Sequence, residues 1–210
     1  MKDAYRNIAE VYDRLFDKMN KGLRLAGIRM FRPKKEMSIL DVGCGTGSHL
    51  ELYQRFGCNL FGIDLSPAML EVARARLGDS AQLELGDATR MSFEDHKFDL
   101  VISMLSLHEM TQQTRSGVLS EMKRVLKDDG RILLIDYHPG PYQPLQGWVS
   151  KVIIFFSELV AGGDHFKNYR QFIATKGLSA LVAQNNLEVE KRNILAGGTF
   201  AAFLVTQRKR

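Results

Sequence analysis

Residues 39–50 of the chain read Ile39-Leu40-Asp41-Val42-Gly43-Cys44-Gly45-Thr46-Gly47-Ser48-His49-Leu50, and the rest of the sequence is placed relative to them. The apolar start predicts a buried strand, the three alternate glycines predict a tight turn, and His49 to Phe56 predicts a helix. Glycines let the backbone turn sharply and approach a ligand, while a helix start presents unpaired N–H groups to a negative group. Asp41, at the strand end, is positioned to receive a positive group. The segment therefore predicts a nucleotide-binding strand, loop and helix.

The spacing of the glycines indicates which kind of nucleotide is bound. A dinucleotide site has the pattern Gly-x-Gly-x-x-Gly, in which the third glycine lets the helix seat a pyrophosphate. Here Gly43, Gly45 and Gly47 are two residues apart. A nicotinamide-dependent oxidoreductase is therefore an alternative that the spacing disfavours.

The second and third strands are each followed or ended by an acid. Asn59 to Asp64 reads as a buried strand, and an acid at the end of such a strand accepts hydrogen bonds from ribose hydroxyls in nucleotide-binding α/β sheets. Ala81 to Leu85 reads as the third strand, with Asp87 just beyond it. An acid in a turn commonly caps the following backbone, so Asp87 has a structural reading as well as a binding one.

The carboxyl end of the fourth strand is the expected floor of the site. Phe98 to Ser103 reads as a strand, and residues just past the carboxyl end of a parallel strand face the ligand crevice. His108 is the first candidate for a general base, because a neutral imidazole accepts a proton near neutral pH. His138, after a fifth strand from Arg131 to Asp136, is the second. A loop histidine with no part in the chemistry is the alternative for His108.

Helix signals place the crossovers between the strands. Ser66 and Pro67 predict an N-cap and a first helical residue, and Thr111 predicts the cap of a helix that stops at residues 127–130. Strands that alternate with helices predict a parallel sheet.

The two ends of the chain complete the domain. Residues 1–31 read as helical, with Gly22 as an expected break. Near the C-terminus, strands from Leu187 to Leu195 and from Thr199 to Gln207 are joined at Gly197-Gly198, which predicts a hairpin that adds an antiparallel edge to the sheet.

The alternation of strands and helices stops at Tyr137. Trp148 to Val160 predicts a strongly apolar helix that is too short to span a bilayer, and three readings remain for it: core packing, a lid over an apolar substrate pocket, or a transient membrane-surface contact. His165 and Tyr169, on a following helix, are placed to reach a substrate, although such residues are more often structural.

Length and composition favour a single α/β domain in a reducing compartment. The chain has 210 residues, of which 45% are hydrophobic, and a net charge of +5 from scattered basic residues. We therefore expect no nucleic-acid partner. The two cysteines lack metal-ligand spacing, so no metal is expected, and the N-terminus has no apolar signal segment, so a cytoplasmic location is expected.

These motifs, in order and spacing, resemble the class I S-adenosylmethionine-dependent methyltransferases, and most closely the small-molecule branch that includes the ubiquinone and menaquinone biosynthesis C-methyltransferases. The resemblance implies an α/β, Rossmann-like three-layer sandwich with a seven-stranded, mostly parallel sheet and an antiparallel last strand. It implies S-adenosyl-L-methionine as the cofactor. The residues that it implies in cofactor binding are Tyr12, Asp41, Gly43, Cys44, Gly45, Gly47, Asp64, Leu65, Asp87, Ala88, Ser103 and Met104.

The resemblance also implies a division of the chain and a reaction. Residues 1–36 would be a helical cap, 37–136 the cofactor-binding core, 137–176 a substrate-facing insert or lid, and 177–210 a helix and hairpin. The expected reaction is methyl transfer by in-line displacement to a small, lipophilic or aromatic acceptor, at oxygen or carbon. The fourth strand lacks the Asn/Asp-Pro-Pro-aromatic signature of methyltransferases that act on DNA bases. A non-catalytic S-adenosylmethionine-binding protein is the alternative.

Overall fold

A seven-stranded sheet with helices on both faces forms the protein in the computed structural model, which describes residues 9–142 and 163–208. The strand order is β3-β2-β1-β4-β5-β7-β6, with the first five strands parallel. This confirms the fold class expected from the sequence. The strands are β1 (Ser38–Val42), β2 (Asn59–Asp64), β3 (Ala81–Leu85), β4 (Phe98–Met104), β5 (Leu126–Tyr137), β6 (Leu187–Leu195) and β7 (Phe200–Gln207).

The helices begin where the sequence offers caps. The Ser66 side chain accepts a hydrogen bond from the Met69 N–H, and the Thr111 side chain accepts one from Thr114, so both predicted N-caps are confirmed. The helices are α1 (Ala9–Met30), α2 (Ser48–Gln54), α3 (Pro67–Leu77), α4 (Gln112–Val125), α5 (Gly163–Ala174) and α6 (Gly177–Gln184).

The C-terminal hairpin adds an antiparallel edge to the sheet, as the sequence predicts. Strand β7 pairs antiparallel with β5 and also with β6, so β7 is internal and β6 forms the edge. The residues of β7 are almost entirely buried, whereas most of those in β6 are exposed. The apolar run of β7 therefore extends the core of the sheet, and the charged β6 covers its rim.

Two predicted helix boundaries are wrong. Helix α1 continues through Gly22, because a single glycine costs only about 1 kcal/mol in a helix and buried side chains such as Leu23 hold the flanking turns. Helix α4 ends at Val125 rather than at residues 127–130. The Val125 carbonyl accepts a hydrogen bond from the Lys97 N–H, and Leu126 then pairs with Phe98, so the chain enters β5 at once.

The core lies on both faces of the central strands, and the carboxyl ends of these strands are left for the site. The four residues of β1 after Ser38 are buried, and so are the central residues of β4 and the second half of β5, from Ile132 to Tyr137. Because parallel strands end at one edge of the sheet, the polar residues after β1, β2, β4 and β5 gather there.

The expectations for Trp148 to Val160 fall outside the described residues, as does the Tyr12 side chain. Within the ranges that the structure describes, no helix has the length and apolar character needed to cross a bilayer.

Candidate active site

The glycine loop between β1 and α2 has the backbone that its sequence predicts. Gly43, Gly45 and Gly47 have φ values of 74°, 52° and 74°, which side chains with a Cβ rarely adopt. A Cβ at Gly43 would lie 2.8 Å from Ser106 Cβ, whereas a Cβ at Gly45 would meet no atom within 4 Å. The loop is therefore packed tightly at its start and opens into unfilled space at Gly45.

Asp64, at the end of β2, is fastened to this loop. Its Oδ2 atom accepts a hydrogen bond of 2.8 Å from the Gly45 N–H, and its Oδ1 atom accepts one of 2.8 Å from the Ser66 N–H. The carboxylate thus has a fixed position at the mouth of the loop. Leu65, the next residue, is 59% exposed.

Cys44 contributes its backbone to the loop rather than its thiol. The side chain is 6% exposed and points toward the sheet, where a Cβ on Gly62 would lie 2.8 Å from its Sγ atom. Burial, together with the charges of Asp41 and Asp64, raises the pKa of the thiol well above its usual range. The thiol therefore stays protonated and unreactive.

Asp41 lies behind the loop in an unusual environment. It is 2% exposed, and its Oδ1 atom has no hydrogen-bond partner within the described part of the chain. Burial, and secondarily the charge of Asp64, raises the pKa of this carboxyl from 3.8 to about 8, with Arg24 acting against them. An unsatisfied buried carboxyl at a ligand crevice is suited to receiving a cationic group.

Arg24, which the sequence analysis missed, belongs to the same corner of the site. It is buried in α1, and its Nη1 atom donates a 2.6 Å hydrogen bond to Ser48 Oγ at the start of α2. A guanidinium beside a carboxyl offers both charges needed by a zwitterionic ligand. Arg24 follows the apolar Leu23 on a long amphipathic helix. This position did not predict that the Arg24 side chain turns inward.

A buried polar pair lies next to Asp41. Neither ring nitrogen of His49 nor the Tyr53 hydroxyl has a hydrogen-bond partner in the ranges described, and the two rings lie 5.5 Å apart. Burial, with Arg24 as a second cause, lowers the pKa of His49 from 6.5 to about 3. Burial, followed by the charge of Asp41, raises the pKa of Tyr53. His49 is therefore neutral at physiological pH.

Asp87 and Ala88 lie at the same edge of the sheet, beside the end of β2. The Asp87 Oδ1 atom accepts hydrogen bonds of 2.8 Å from the Thr89 N–H and from the Thr89 hydroxyl. Asp87 is exposed and Ala88 is half-buried. The structure thus realises the capping role of Asp87.

The end of β4 brings the expected floor residues against the glycine loop. Ser103 Oγ lies 2.8 Å from Ser106 Oγ, and Ser106 Oγ donates to the Val42 carbonyl at 3.4 Å. Ser103 is buried and Met104 is half-buried. The two serines therefore tie the β4 loop to the start of the glycine loop.

His108 is held by a buried carboxylate one strand away. Its Nδ1 atom lies 2.8 Å from Asp136 Oδ1, and its backbone N–H donates to Asp136 Oδ2 at 3.2 Å. Asp136, with a fully buried side chain at the end of β5, also accepts from the Tyr137 N–H at 2.7 Å. Because a carboxylate accepts, Nδ1 carries the hydrogen and Nε2 keeps its lone pair in the neutral ring.

His138 is fixed on both ring nitrogens. Its Nδ1 atom lies 3.0 Å from the Gly198 carbonyl, and its Nε2 atom lies 3.3 Å from Arg192 Nη2. Burial lowers the pKa of this imidazole, and the charge of Arg192 acts in the same direction. Both nitrogens are thus occupied by the β6–β7 side of the sheet, which favours a structural role.

Comparison with known proteins shows similarity to methyltransferases. A family model described as a methyltransferase domain matches residues 40–134. The ubiquinone/menaquinone biosynthesis C-methyltransferase UbiE of Bordetella parapertussis is 31% identical over 182 residues, which cover 80% of this chain and 69% of that protein. The UbiE of Cupriavidus metallidurans is 28% identical over 214 residues and covers 92% and 87%.

A solved structure extends the likeness of the fold to nearly the whole chain. A chain in the complex between the Haloferax volcanii Trm112 methyltransferase activator and its methyltransferase superposes with a TM-score of 0.72. The match covers 99% of this chain and 100% of that one, at 17% sequence identity. At that identity the likeness concerns the fold alone.

Proposed function

The chain belongs to the class I S-adenosylmethionine-dependent methyltransferases, and we propose that it methylates a small, lipophilic, hydroxylated aromatic acceptor at oxygen or at an activated ring carbon. The observation that carries the proposal is the His108–Asp136 pair at the carboxyl ends of β4 and β5. The names of the similar proteins, which refer to C-methylation in quinone biosynthesis, support an acceptor of this class.

The residues around the glycine loop fit the cofactor. Space remains open at Gly45, Asp41 has an unpartnered buried oxygen within the described chain, and the carboxylate of Asp64 is fixed at the loop mouth. We assign the zwitterionic end of the cofactor to Asp41 and Arg24, and the ribose to Asp64. Asp87, Ala88, Leu65 and Met104 would border the base and the floor.

His108 is assigned as the general base. When bound, the cofactor supplies an electrophilic methyl group on a sulfonium, so the protein must align the acceptor and remove its proton. Because Nδ1–H is directed at Asp136, Nε2 is the atom that takes this proton, through its lone pair. The buried carboxylate then balances the imidazolium that forms.

The surroundings of His108 support an aromatic acceptor. The imidazole packs edge-on against Tyr137, with centroids 4.5 Å apart, and against Tyr169 at 6.4 Å. Tyr137 in turn stacks on Phe200 at 5.1 Å. An aromatic wall next to the base favours flat, apolar substrates that can pack edge-on or offset.

Transfer of labelled methyl from S-adenosylmethionine tests the proposal. Lipophilic phenols and quinols are compared with amines, thiols and aliphatic alcohols of similar size, and S-adenosylhomocysteine binding is measured in parallel by calorimetry. We expect label only in the hydroxylated aromatic compounds. Binding of S-adenosylhomocysteine without transfer to any of these classes would favour the non-catalytic alternative, and transfer confined to amines or thiols would contradict the proposed acceptor.

A further inference from the structure

The glycine loop contains two residues between its glycines, and neighbouring elements contact both of them. The backbone N–H of Cys44 donates a 3.2 Å hydrogen bond to the Ile63 carbonyl in β2. Thr46, two residues farther along, is 3% exposed. Because glycine adopts many backbone conformations, contacts of the intervening residues reduce the number of shapes that the free loop can take.

Arg76, near the end of α3, contacts Thr46. Its Nη1 atom donates hydrogen bonds to the Thr46 carbonyl at 3.1 Å and to the Thr46 hydroxyl at 3.2 Å. The Nε atom of the same guanidinium lies 3.7 Å from Glu51 Oε2 on α2. Arg76 therefore connects the glycine loop with both of the helices that follow it.

The face of α3 that carries Arg76 also packs against the loop. A Cβ at Gly47 would lie 2.8 Å from Leu77 Cδ1 and 3.2 Å from Ala73 Cβ. Arg76 and Leu77 follow Ala73 by three and four residues, so the three side chains lie on one face of the helix. A Cβ at Gly45, by contrast, would meet no atom within 4 Å. The loop is thus packed on α3 at Gly47 and open at Gly45.

The two ends of α3 fix consecutive residues of the loop. At the first end, the Asp64 carboxylate accepts hydrogen bonds from the Ser66 N–H and from the Gly45 N–H. Near the second end, Arg76 donates to Thr46. Ordering a loop during binding costs affinity, and contacts that order it beforehand remove this cost. The contacts of α3 therefore favour a loop that is already in its binding shape.

We propose that Arg76 is a positioning residue for the cofactor, which it serves by holding Thr46 and thereby the glycine loop in place. The proposal rests on the placement of the cofactor at this loop in the function proposed above. Arg76 acts through the loop and not on the reacting atoms. Its removal should therefore weaken cofactor binding and leave the rate of methyl transfer from the bound cofactor unchanged.

The first test measures S-adenosylhomocysteine affinity by calorimetry and needs no acceptor. It is made at a temperature at which circular dichroism shows every variant to be folded, so that lower stability alone does not change the affinity. We expect Arg76→Met to bind about tenfold more weakly, as the loss of hydrogen bonds from a charged donor predicts. Arg76→Lys, which keeps a cationic donor, should bind with an affinity between those of Arg76→Met and the wild type.

Arg74→Met is the matched control, because Arg74 is an exposed arginine on the same helix. It removes the same charge, and its affinity should stay within about twofold of wild type, as for a surface substitution. The difference in affinity between the wild type and Arg76→Met should also persist from about 0.05 M to about 0.5 M salt, because salt screens a distant charge more than a direct hydrogen bond.

A double-mutant cycle tests whether Arg76 acts through Thr46. Thr46→Val removes the hydroxyl that Arg76 contacts. It should weaken binding less in the Arg76→Met background than in the wild type, because residues that interact give non-additive effects. Glu51→Gln removes the half-exposed ion pair and should change the affinity by less than about twofold.

Hydrogen exchange and single-turnover kinetics separate binding from chemistry. Amides of residues 43–48 should exchange faster in ligand-free Arg76→Met than in the wild type, while those of β5 should not change. Saturating S-adenosylhomocysteine should restore their protection. Single-turnover methyl transfer by Arg76→Met saturated with S-adenosylmethionine should stay within about twofold of wild type.

The outcomes distinguish the two proposals. Wild-type affinity in Arg76→Met, an equal loss in Arg74→Met, or additive effects of Thr46→Val and Arg76→Met would overturn the positioning role. A wild type that binds S-adenosylhomocysteine but methylates no acceptor would overturn the proposed reaction alone, and calorimetry would still decide the role of Arg76. A wild type that binds no S-adenosylhomocysteine would overturn both.

Discussion

The Nδ1 atom of His108 lies 2.8 Å from the Oδ1 atom of Asp136, although the two residues are 28 positions apart in the chain. The carboxylate is fully buried and also accepts the backbone N–H groups of His108 and Tyr137. This arrangement fixes the tautomer of the imidazole, on which the proposed chemistry depends.

Asp136→Asn should therefore impair chemistry more than binding. An amide N–H placed opposite Nδ1 would favour the tautomer with hydrogen on Nε2, which cannot accept a proton. We expect turnover to fall by about 10²–10⁴-fold, with S-adenosylhomocysteine affinity within a factor of two or so of wild type by calorimetry. Circular dichroism confirms folding, and a proportional loss of cofactor affinity would indicate a structural role instead.

Asp64→Ala should weaken cofactor binding. The substitution removes a carboxylate assigned to the ribose and also releases the Gly45 N–H that it holds. Loss of a charge-assisted hydrogen bond predicts a cost of about 1.5–3 kcal/mol in binding free energy. Asp79→Ala, at an exposed acid past the end of α3, is the matched control. Unaltered affinity in Asp64→Ala would refute the assignment.

Cofactor binding should release a proton from Asp41. Burial raises the pKa of this carboxyl to about 8, so most molecules carry the proton at pH 7. A cationic ligand group next to it favours the ionised form and expels the proton. Calorimetry with S-adenosylhomocysteine in buffers of different ionisation enthalpy measures the release. Asp41→Asn should abolish it, and equal enthalpies in all buffers for the wild type would contradict the assignment.

His49 should make the protein less stable in acid. Its pKa is lowered from 6.5 to about 3, so between these values the unfolded chain binds a proton that the folded protein does not. The free energy of unfolding then falls as the pH drops from 6.5, by up to about 1.4 kcal/mol per pH unit. Denaturant unfolding of His49→Leu should show a smaller slope in this window. An identical slope would mean that the buried imidazole is protonated in the folded state.

Substitutions at two glycines of the loop should affect protein stability and cofactor binding to different degrees. Gly43→Ala places a Cβ against Ser106 at positive φ and should lower stability by about 2 kcal/mol or more. Gly45→Ala meets no atom within 4 Å. Its stability loss should be limited to about 1–2 kcal/mol of backbone strain, while its cofactor affinity falls sharply. Thermal unfolding and calorimetry of both variants check this, and retained affinity in Gly45→Ala would place the cofactor elsewhere.

Local patterns were sufficient to predict most of the fold. The bounds of β2, β3 and β6 agree with the sequence prediction, because each apolar or alternating run is delimited by an acid, glycine or helix cap. The boundary of α4 could not be predicted in this way. It is set by the backbone N–H groups of His96 and Lys97, which donate to the Arg124 and Val125 carbonyls. The sheet brings these N–H groups to the helix end, so no residue pattern near the boundary predicts it.

Part of the site could also be predicted from local sequence patterns. The spacing of the glycines predicted the tight turn that their positive φ values form. The end of β2 predicted the position of Asp64. By contrast, the partner of His108, the inward turn of Arg24 and the place of Glu109 between two histidines arise from tertiary packing of elements distant in the chain. His138 was predicted as a candidate base in a loop, but the distant β6–β7 turn fixes its ring.

Single-turnover methyl transfer by His108→Gln tests the central claim most directly. Enzyme saturated with S-adenosylmethionine is mixed with the best hydroxylated aromatic acceptor, and labelled product is followed for the variant and the wild type. The account predicts a rate lower by about 10²-fold or more, with unchanged S-adenosylhomocysteine affinity. A variant that transfers the methyl group at the wild-type rate would contradict it and remove His108 from the chemistry.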